Sequence, residues 1–210
     1  MNKFESRFTS EDVEVIRRKD CHRGFLQVEQ IKLRHRLHEG GWSGDLQREV
    51  MIREKAVGVL LFDPALDQLV MIRQFRIGLL GESGSPWILE CVAGLIDTDE
   101  TPERVAVRET EEESGLKPSE LIKICEYYNS PGGSNEFVSL YCGRVDSSSA
   151  GGIFGLDQEN EDIEVVVLSV DEARVAVESG VINNAMSVIA IQWLMINRDR
   201  LMESWRTPNK

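Results

Sequence analysis

The stretch GLIDTDETPERVAVRETEEESGL, from Gly94 to Leu116, is the most informative part of this 210-residue chain. Thr101 is a favourable helix N-cap, Pro102 suits the first helical position, and Gly115 suits the left-handed residue after the last turn. The residues between them, 103–114, are mostly ones that helices accept. The sequence therefore predicts a loop followed by a capped helix.

Three glutamates of this predicted helix share one side. Glu109 and Glu113 are four residues apart, and Glu112 is three residues from Glu109, so their carboxylates converge. Like charges at this spacing repel one another, which is unfavourable in the absence of a metal. A hard divalent cation shared between the carboxylates and substrate phosphates would turn this repulsion into attraction. The cluster therefore predicts a divalent-cation site for phosphate chemistry. The alternative is an acidic helix face exposed to solvent, which is the commoner case for an isolated run of glutamates.

An arginine and a further glutamate accompany this cluster. Arg108 lies four residues before Glu112, and Glu100 lies in the loop before the helix. We expect Arg108 and Glu100 to form a charge pair that ties the loop to the helix and holds the metal ligands in place.

The spacing of these residues resembles the Nudix box, G-x5-E-x7-R-E-U-x-E-E-x-G-U, in which U is a bulky aliphatic residue. The matching positions are Gly94, Glu100, Arg108, Glu109, Glu112, Glu113, Gly115 and Leu116. Thr110 departs from the pattern at the first U, where a small residue can still pack. The resemblance implies a metal-dependent hydrolase of a nucleoside diphosphate linked to another group, with Glu109 and Glu113 as metal ligands. Glu112 assists them, and the Ala93 carbonyl is a further ligand.

Composition and charge narrow the class of protein. The chain is long enough for one main domain plus an extension. Its formal net charge of −12 argues against nucleic acid as a partner, because binding a phosphate backbone normally needs a basic face. The four cysteines are widely separated, without a C-x-x-C pair, which favours reduced thiols in a cytoplasmic protein. With no apolar signal segment and no stretch of membrane-spanning length, no membrane association is expected.

Hydrophobic patterns predict the fold class. Alternating segments between 13 and 52 predict short strands with charged faces, which need another surface to pack on. We therefore expect an N-terminal antiparallel β extension over 1–52 and a second domain over 53–210, for which the resemblance implies dimerisation and catalysis, respectively. Strands on both sides of the box helix, followed by helices, predict an α/β fold, namely an α/β/α sandwich on a mixed sheet. The resemblance to the Nudix box implies that this is the Nudix α/β/α sandwich.

Individual segments of the larger domain are also predicted. Strands are expected at 56–62, 69–76, 87–96, 121–130, 137–145 and 163–170, and amphipathic helices at 169–180 and 187–205. In the last helix, one face is expected to join the core; it carries Val188, Ile191, Leu194 and Met195. The segment SSSAGG, at 147–152, is expected to be a flexible surface loop.

Four further segments resemble bacterial ADP-ribose pyrophosphatases. They are RGF at 23–25, PWILECVAG at 86–94, SPGGSNE at 130–136 and GLDQENEDI at 155–163, and the tail NNAMSVIAIQWL is also similar. This resemblance implies magnesium-dependent hydrolysis of ADP-ribose to AMP and ribose 5-phosphate, with manganese (Mn²⁺) as an alternative to Mg²⁺. It also implies a domain-swapped homodimer in which each active site draws on both chains.

A general base is expected on the loop ENED. A carboxylate on a mobile loop can close over bound substrate. Glu159 matches the loop glutamate with this role in similar enzymes, and Glu161 and Asp162 remain candidates because they lie so close in sequence. Without the resemblance, these three acids would indicate an acidic surface turn.

The resemblance also implies substrate contacts. Phe25 matches an aromatic residue that stacks on adenine, and Arg48 and Arg76 match arginines that hold adenine or phosphates. Glu136 matches a substrate-contacting glutamate, and the SPGG turn around Gly133 offers backbone N–H groups near a phosphate or ribose. Taken alone, such an arginine or Pro-Gly turn is usually ordinary surface, and such a phenylalanine is usually core or interface.

Two rival functions follow from the same residues. GDP-mannose or another nucleotide sugar is an alternative substrate, because its hydrolases share SPGG-like and ENED-like loops. A sensor module would bind ADP-ribose without turnover, although the glutamates of the box are intact here.

Overall fold

The computed structural model describes residues 3–96, 99–156, 158 and 160–206. It divides into two compact units. The first holds the residues up to Arg53 together with Tyr128–Glu136, and the second holds Glu54–Tyr127 and the chain from Phe137 onward. The sequence-based boundary after residue 52 remains a prediction of where the domains divide.

The first unit is built on an antiparallel sheet, as the alternating segments predicted. Within the described part of the chain this sheet has three strands, in the order β1 (Val13–Arg23), β2 (Gln27–His35) and β3 (Leu46–Ile52). Every residue of β1 is exposed. The SPGG segment joins the sheet beside β3, where the Met51 N–H donates to the Gly133 carbonyl at 2.9 Å.

The second unit is built on a mixed sheet of eight strands among the described residues. The path runs β10 (Gly152–Phe154), β11 (Ile163–Ser169), β5 (Gln68–Phe75), β4 (Lys55–Asp63), β9 (Phe137–Arg144) and β8 (Glu120–Tyr128), while β6 (Trp87–Glu90) pairs with β5 and β7 (Val92–Ile96) pairs with β4. The β4–β9 pair is parallel, and the β4–β5 and β4–β7 pairs are antiparallel.

Helices cover both faces of this mixed sheet. They are α1 (Pro102–Ser114), α2 (Val170–Glu178) and α3 (Ala185–Arg206). Because side chains alternate along a strand, the odd-numbered residues of β4 pack with Val105 and Ala106 of α1. The even-numbered ones, Leu60 and Phe62, pack on the other face with α2 and α3. Burying each large apolar side chain contributes about 1.5–3 kcal/mol to the stability of this α/β/α sandwich.

Two details of the sequence-based fold are settled here. The predicted core face of α3 is confirmed, since Ile191 and Leu194 are buried and Val188 and Met195 pack against the same cluster. The prediction of a flexible surface loop from residue 147 is wrong at its first residue, because Ser147 is 5% exposed and its backbone N–H and hydroxyl both donate to Asp63.

None of the helices in the described ranges combines the length and the apolar character needed to cross a bilayer.

Candidate active site

Helix α1 begins and ends where the sequence predicts. The Thr101 hydroxyl accepts the N–H of Arg104 at 3.4 Å, Pro102 opens the helix, and Gly115 ends it at φ 67°. Thr110, the departure from the box pattern, is fully buried and donates its hydroxyl to the Ala106 carbonyl at 2.7 Å. The local sequence therefore fixes the helix that carries the carboxylates.

The Arg108 guanidinium joins the loop and the helix. Its Nε lies 3.3 Å from Glu100 Oε2, which is the predicted charge pair. Its Nη1 also lies 2.9 Å from Glu109 Oε1 and 3.0 Å from Glu112 Oε2. One cation therefore orients three carboxylates but balances the charge of only one.

Glu113 is the most deeply buried of the box carboxylates. It is 3% exposed, and its Oε2 accepts the Ala93 N–H at 3.0 Å. Burial raises the pKa of Glu113 to about 8; the Ala93 N–H opposes this rise, and the charges of Glu109 and Glu161 add to it. Among the described residues, no basic side chain lies within 4 Å of this carboxylate.

Glu109 lies against the strand that leads into the box. Burial raises the pKa of Glu109 to about 7, although the neighbouring Arg108 guanidinium lowers it. A Cβ added to Gly94 would lie 2.1 Å from the Glu109 carboxyl carbon. Only glycine therefore leaves room for this carboxylate beside the backbone that follows Ala93.

These residues fit a divalent cation. Glu113 is buried and Glu109 is half-buried, and their desolvation and like charges disfavour ionisation. A bound cation would reverse that penalty. In the described ranges, no three His, Cys, Asp or Glu side chains are already arranged to hold a metal. An octahedral Mg²⁺ site commonly includes non-carboxylate oxygens as well, such as a backbone carbonyl, water or substrate phosphate.

The loop that carries the candidate general bases is described in part. Glu159 lies outside the described residues, and Asp162 is exposed. Glu161 is partly buried, and its Oε2 accepts the Leu156 N–H at 3.1 Å. Its charge helps to raise the pKa of Glu109 and of Glu113, so Glu161 lies within electrostatic reach of the cluster.

The first unit contains four of the predicted substrate-binding residues. Phe25 is 91% exposed, and the Arg48 guanidinium donates to the Gln47 carbonyl at 2.9 Å. Gly133 donates its N–H to the Ser130 carbonyl at 3.1 Å within the SPGG turn. Phe25 therefore presents an open aromatic face.

Glu136 is held by a residue that the sequence did not single out. Arg53 Nε lies 3.7 Å from Glu136 Oε1, and the Arg53 guanidinium is 5.9 Å from the Phe25 ring centre. Asn129 Nδ2 donates to Glu136 Oε2 at 2.7 Å. Arg53 thus lies near two predicted substrate-binding residues, and no motif position signals it.

Arg76, the remaining predicted contact, belongs to the second unit. Its Nε lies 2.5 Å from Glu90 Oε2, and its charge slightly opposes the raised pKa of Glu113. Glu90 was also missed by sequence reasoning, although it lies within the PWILECVAG segment. Glu90 fixes the direction of an arginine that lies close enough to influence the carboxylate cluster.

Comparisons with known proteins agree with this fold and site. A family model described as "NUDIX domain" matches residues 52–186. The ADP-ribose pyrophosphatase of Escherichia coli (strain K12) is 43% identical over 198 residues, covering 94% of this chain and 95% of the relative. That of Haemophilus influenzae is 39% identical over 202 residues, covering 95% and 93%.

More distant similarities are also found. A GDP-mannose pyrophosphatase of Cronobacter sakazakii is 36% identical over 156 residues, covering 71% of this chain and 78% of the relative. A crystal structure described as an ADP compounds hydrolase superposes with a TM-score of 0.70 at 21% identity, covering 93% of this chain and 97% of that one. This similarity shows a shared fold.

Dependence on a divalent metal is general among Nudix ADP-ribose pyrophosphatases. With its box helix, its cluster of carboxylates and a family match over more than half its length, this chain belongs to the Nudix family.

Proposed function

We propose that this protein is a Mg²⁺-dependent hydrolase that cleaves the pyrophosphate of ADP-ribose to AMP and ribose 5-phosphate. The observation that carries this proposal is the extent of the similarity to ADP-ribose pyrophosphatases. A match over 94% of the chain includes most of the N-terminal sheet, whereas the GDP-mannose pyrophosphatase match covers 71%. ADP-ribose is therefore favoured over GDP-mannose as the substrate.

The metal site is assigned to Glu109, Glu113 and the Ala93 carbonyl. When bound, Mg²⁺ or Mn²⁺ would withdraw electron density from the pyrophosphate oxygens and activate a water molecule. Arg108 holds Glu109 and Glu112 in orientation, and Glu100 anchors Arg108 to the preceding loop. Glu159 is the proposed general base, and Glu161 and Asp162 are the alternatives on the same loop.

Substrate binding is assigned to the residues that the resemblance implies. The open ring of Phe25 would stack on adenine, and Arg48 and Arg76 would hold adenine or phosphate groups. Gly133 and Glu136 would contact the ribose or phosphate portion. The Arg53–Glu136 ion pair supports this assignment, because it holds Glu136 in one orientation.

A homodimer with exchanged N-terminal extensions is the proposed assembly. The exposed apolar side chains of this extension support it, because they need a surface to cover them. Among them are Phe4, Val13, Val15, Ile16, Leu26 and Leu37. The cytoplasmic location predicted from the sequence is supported by the four cysteines, which are all free thiols.

The test is phosphate release from the purified protein with Mg²⁺, coupled to a phosphatase. The panel contains ADP-ribose, GDP-mannose, other ADP-sugars and nucleoside triphosphates, each with and without chelator. We expect a strong preference for ADP-ribose that the chelator abolishes. Preference for GDP-mannose would keep the metal chemistry and discard the substrate contacts, and ADP-ribose binding without turnover would indicate a sensor.

A further inference from the structure

The strand that leads to Ala93 is interrupted two residues before it. β6 pairs with β5, β7 pairs with β4, and Cys91 lies between these two strands. The buried Cys91 N–H donates to the Ser187 hydroxyl, with 3.0 Å between nitrogen and oxygen. A side chain of α3 therefore holds the backbone where the strand changes its partner.

Asn184, directly before α3, makes a second bond to the same segment. Its Nδ2 donates to the Leu89 carbonyl at 2.8 Å, and its Oδ1 accepts the Ser187 N–H at 3.0 Å. The Ser187 side chain is fully buried, and the helix behind it is anchored in the core by residues such as Ile191 and Leu194. Both bonds therefore connect the strand segment to a well-packed helix.

The start of α3 also covers the backbone opposite Ala93. Ala93 pairs with Gly58, and a Cβ added to Gly58 would lie 2.3 Å from the Met186 sulfur. The Ala93 N–H is in turn bonded to Glu113 of α1. Ala93 is thus fixed by α1 through its own N–H and by the start of α3 through the adjoining backbone.

We propose that Ser187 and Asn184 are positioning residues for the metal site, because they fix the direction of the Ala93 carbonyl from the start of α3. This inference rests on the proposed function, since it requires that carbonyl to be a ligand. Mg²⁺ needs near-ideal octahedral geometry and short ligand distances, so a small rotation of the carbonyl weakens binding. Groups that orient metal ligands contribute about 10- to 100-fold to metal affinity.

The test is Mn²⁺ binding by the full-length protein without substrate, measured from the electron paramagnetic resonance signal of free Mn²⁺. We expect Ser187→Ala to raise the Kd for Mn²⁺ about tenfold or more, because the buried Cys91 N–H loses its acceptor. Asn184→Asp keeps the acceptor for the Ser187 N–H and removes the donor to Leu89. Asn184→Asp should also raise the Kd for Mn²⁺. If Ser187→Ala folds poorly, Asn184→Asp is the variant that tests the inference.

Ser147→Ala is the matched control. Ser147 is also a buried serine, but it bonds to Asp63 and Gln68 away from the box. Both Ser147→Ala and Ser187→Ala should lower the melting temperature, but Ser147→Ala should leave the Kd for Mn²⁺ within about twofold. An unchanged Kd in the Ser187 and Asn184 variants, or equal weakening by Ser147→Ala, would overturn the inference. A wild-type protein that bound no Mn²⁺ would instead contradict the metal site itself.

Discussion

At the scale of single residues, Glu113 shows how burial prepares a side chain for a metal. It is 3% exposed, and burial with nearby negative charge raises its pKa to about 8. A buried anion without a basic partner is unfavourable, and a bound cation removes that penalty. Burial and nearby negative charges disfavour the ionised form of Glu113 in the metal-free protein. For the same reasons Glu113 is a strong candidate ligand for a cation.

We expect Glu113→Gln to remove most activity with little loss of folding. The amide keeps the size of the side chain and an oxygen that can accept the Ala93 N–H, but it lacks the charge for a metal. The expected loss in turnover is roughly 100-fold or more, since even groups that merely orient ligands contribute up to that amount. Steady-state kinetics and thermal unfolding measure both effects.

Glu111→Gln is the control for that substitution. Glu111 belongs to the same helix, but it lies on the surface and pairs with Lys117 at 3.1 Å. It should keep normal turnover. Near wild-type turnover in Glu113→Gln would show that the ligand assignment is wrong.

The pH dependence of the metal-free protein should reveal these raised pKa values. Glu109 and Glu113 have folded pKa values of about 7 and 8, above their ordinary value of 4.5. Between 4.5 and about 8 the folded state therefore binds more protons than the unfolded state, so stability falls as pH rises through that window. We expect the melting temperature of chelator-treated protein to fall from pH 5 to pH 8.

Two comparisons make that pH measurement specific. In Glu113→Gln the decrease in melting temperature from pH 5 to pH 8 should be smaller, because one of the two titrating groups is absent. The affinity of wild-type protein for Mn²⁺ should rise with pH over the same range, because the metal competes with protons. A decrease of equal size in both proteins would argue against Glu113 as its source.

At the scale of elements, Asp63 joins the β4–β5 hairpin to the segment after β9. Its Oδ1 accepts the N–H groups of Ala65 and Leu66, and its Oδ2 accepts the N–H and hydroxyl of Ser147. Burial would raise the pKa of Asp63, but these hydrogen bonds hold it below its usual value. One carboxylate therefore fixes two connections of the mixed sheet.

We expect Asp63→Asn to destabilise the protein at pH 7 by about 1–3 kcal/mol. The reason is that the side-chain NH₂ of asparagine would face N–H or O–H groups that now donate to a carboxylate oxygen. The lowered pKa means that the stabilisation is present above the unfolded value of about 3.8 and is lost as pH falls through the folded pKa. Urea unfolding at pH 7 and at low pH measures the difference in unfolding free energy between the wild-type protein and Asp63→Asn. This difference should be smaller at low pH. Asp146→Asn, at an exposed position, is the control.

The elements themselves were predictable to different degrees. The run 56–62 and the capped helix α1 carry their own signals, namely continuous apolar residues and a Thr-Pro start with a glycine end. The segment 87–96 was expected as one strand, yet it forms β6 and β7 with different partners. Side-chain periodicity does not encode this break, because the partner is chosen by packing across the sheet.

At the scale of the whole molecule, the proposed homodimer should make stability depend on protein concentration. The melting temperature of a dimer whose unfolding separates the subunits rises with concentration by mass action. We expect that rise for wild-type protein, measured by calorimetry over about a hundredfold range of concentration, together with a dimeric mass in light scattering.

Val15→Asp provides a sensitive variant for the same measurement. Val15 is 46% exposed on β1, so a charge there should be tolerated by a monomer but not by a covered apolar interface. The variant should lose the concentration dependence. A monomeric wild-type mass with a constant melting temperature would contradict the exchanged-extension proposal.

The sequence by itself determined the box helix, the alternation of strands and helices, and the identity of the candidate carboxylates. These features are local, because caps, periodicity and i,i+4 spacing act within a few residues. The Arg108–Glu100 pair was accessible in the same way, since helix geometry brings Arg108 next to the loop.

Only the tertiary structure decided which distant residues meet. Ser187 reaches Cys91 across 96 positions of sequence, Asp63 reaches Ser147 across 84, and Glu113 reaches Ala93 across 20. The resemblance covers the tail that holds Asn184 and Ser187, but the local sequence does not indicate which residues they contact. Their roles arise because burial removes water, so each buried N–H must find a protein acceptor, and the fold alone determines which acceptor is near.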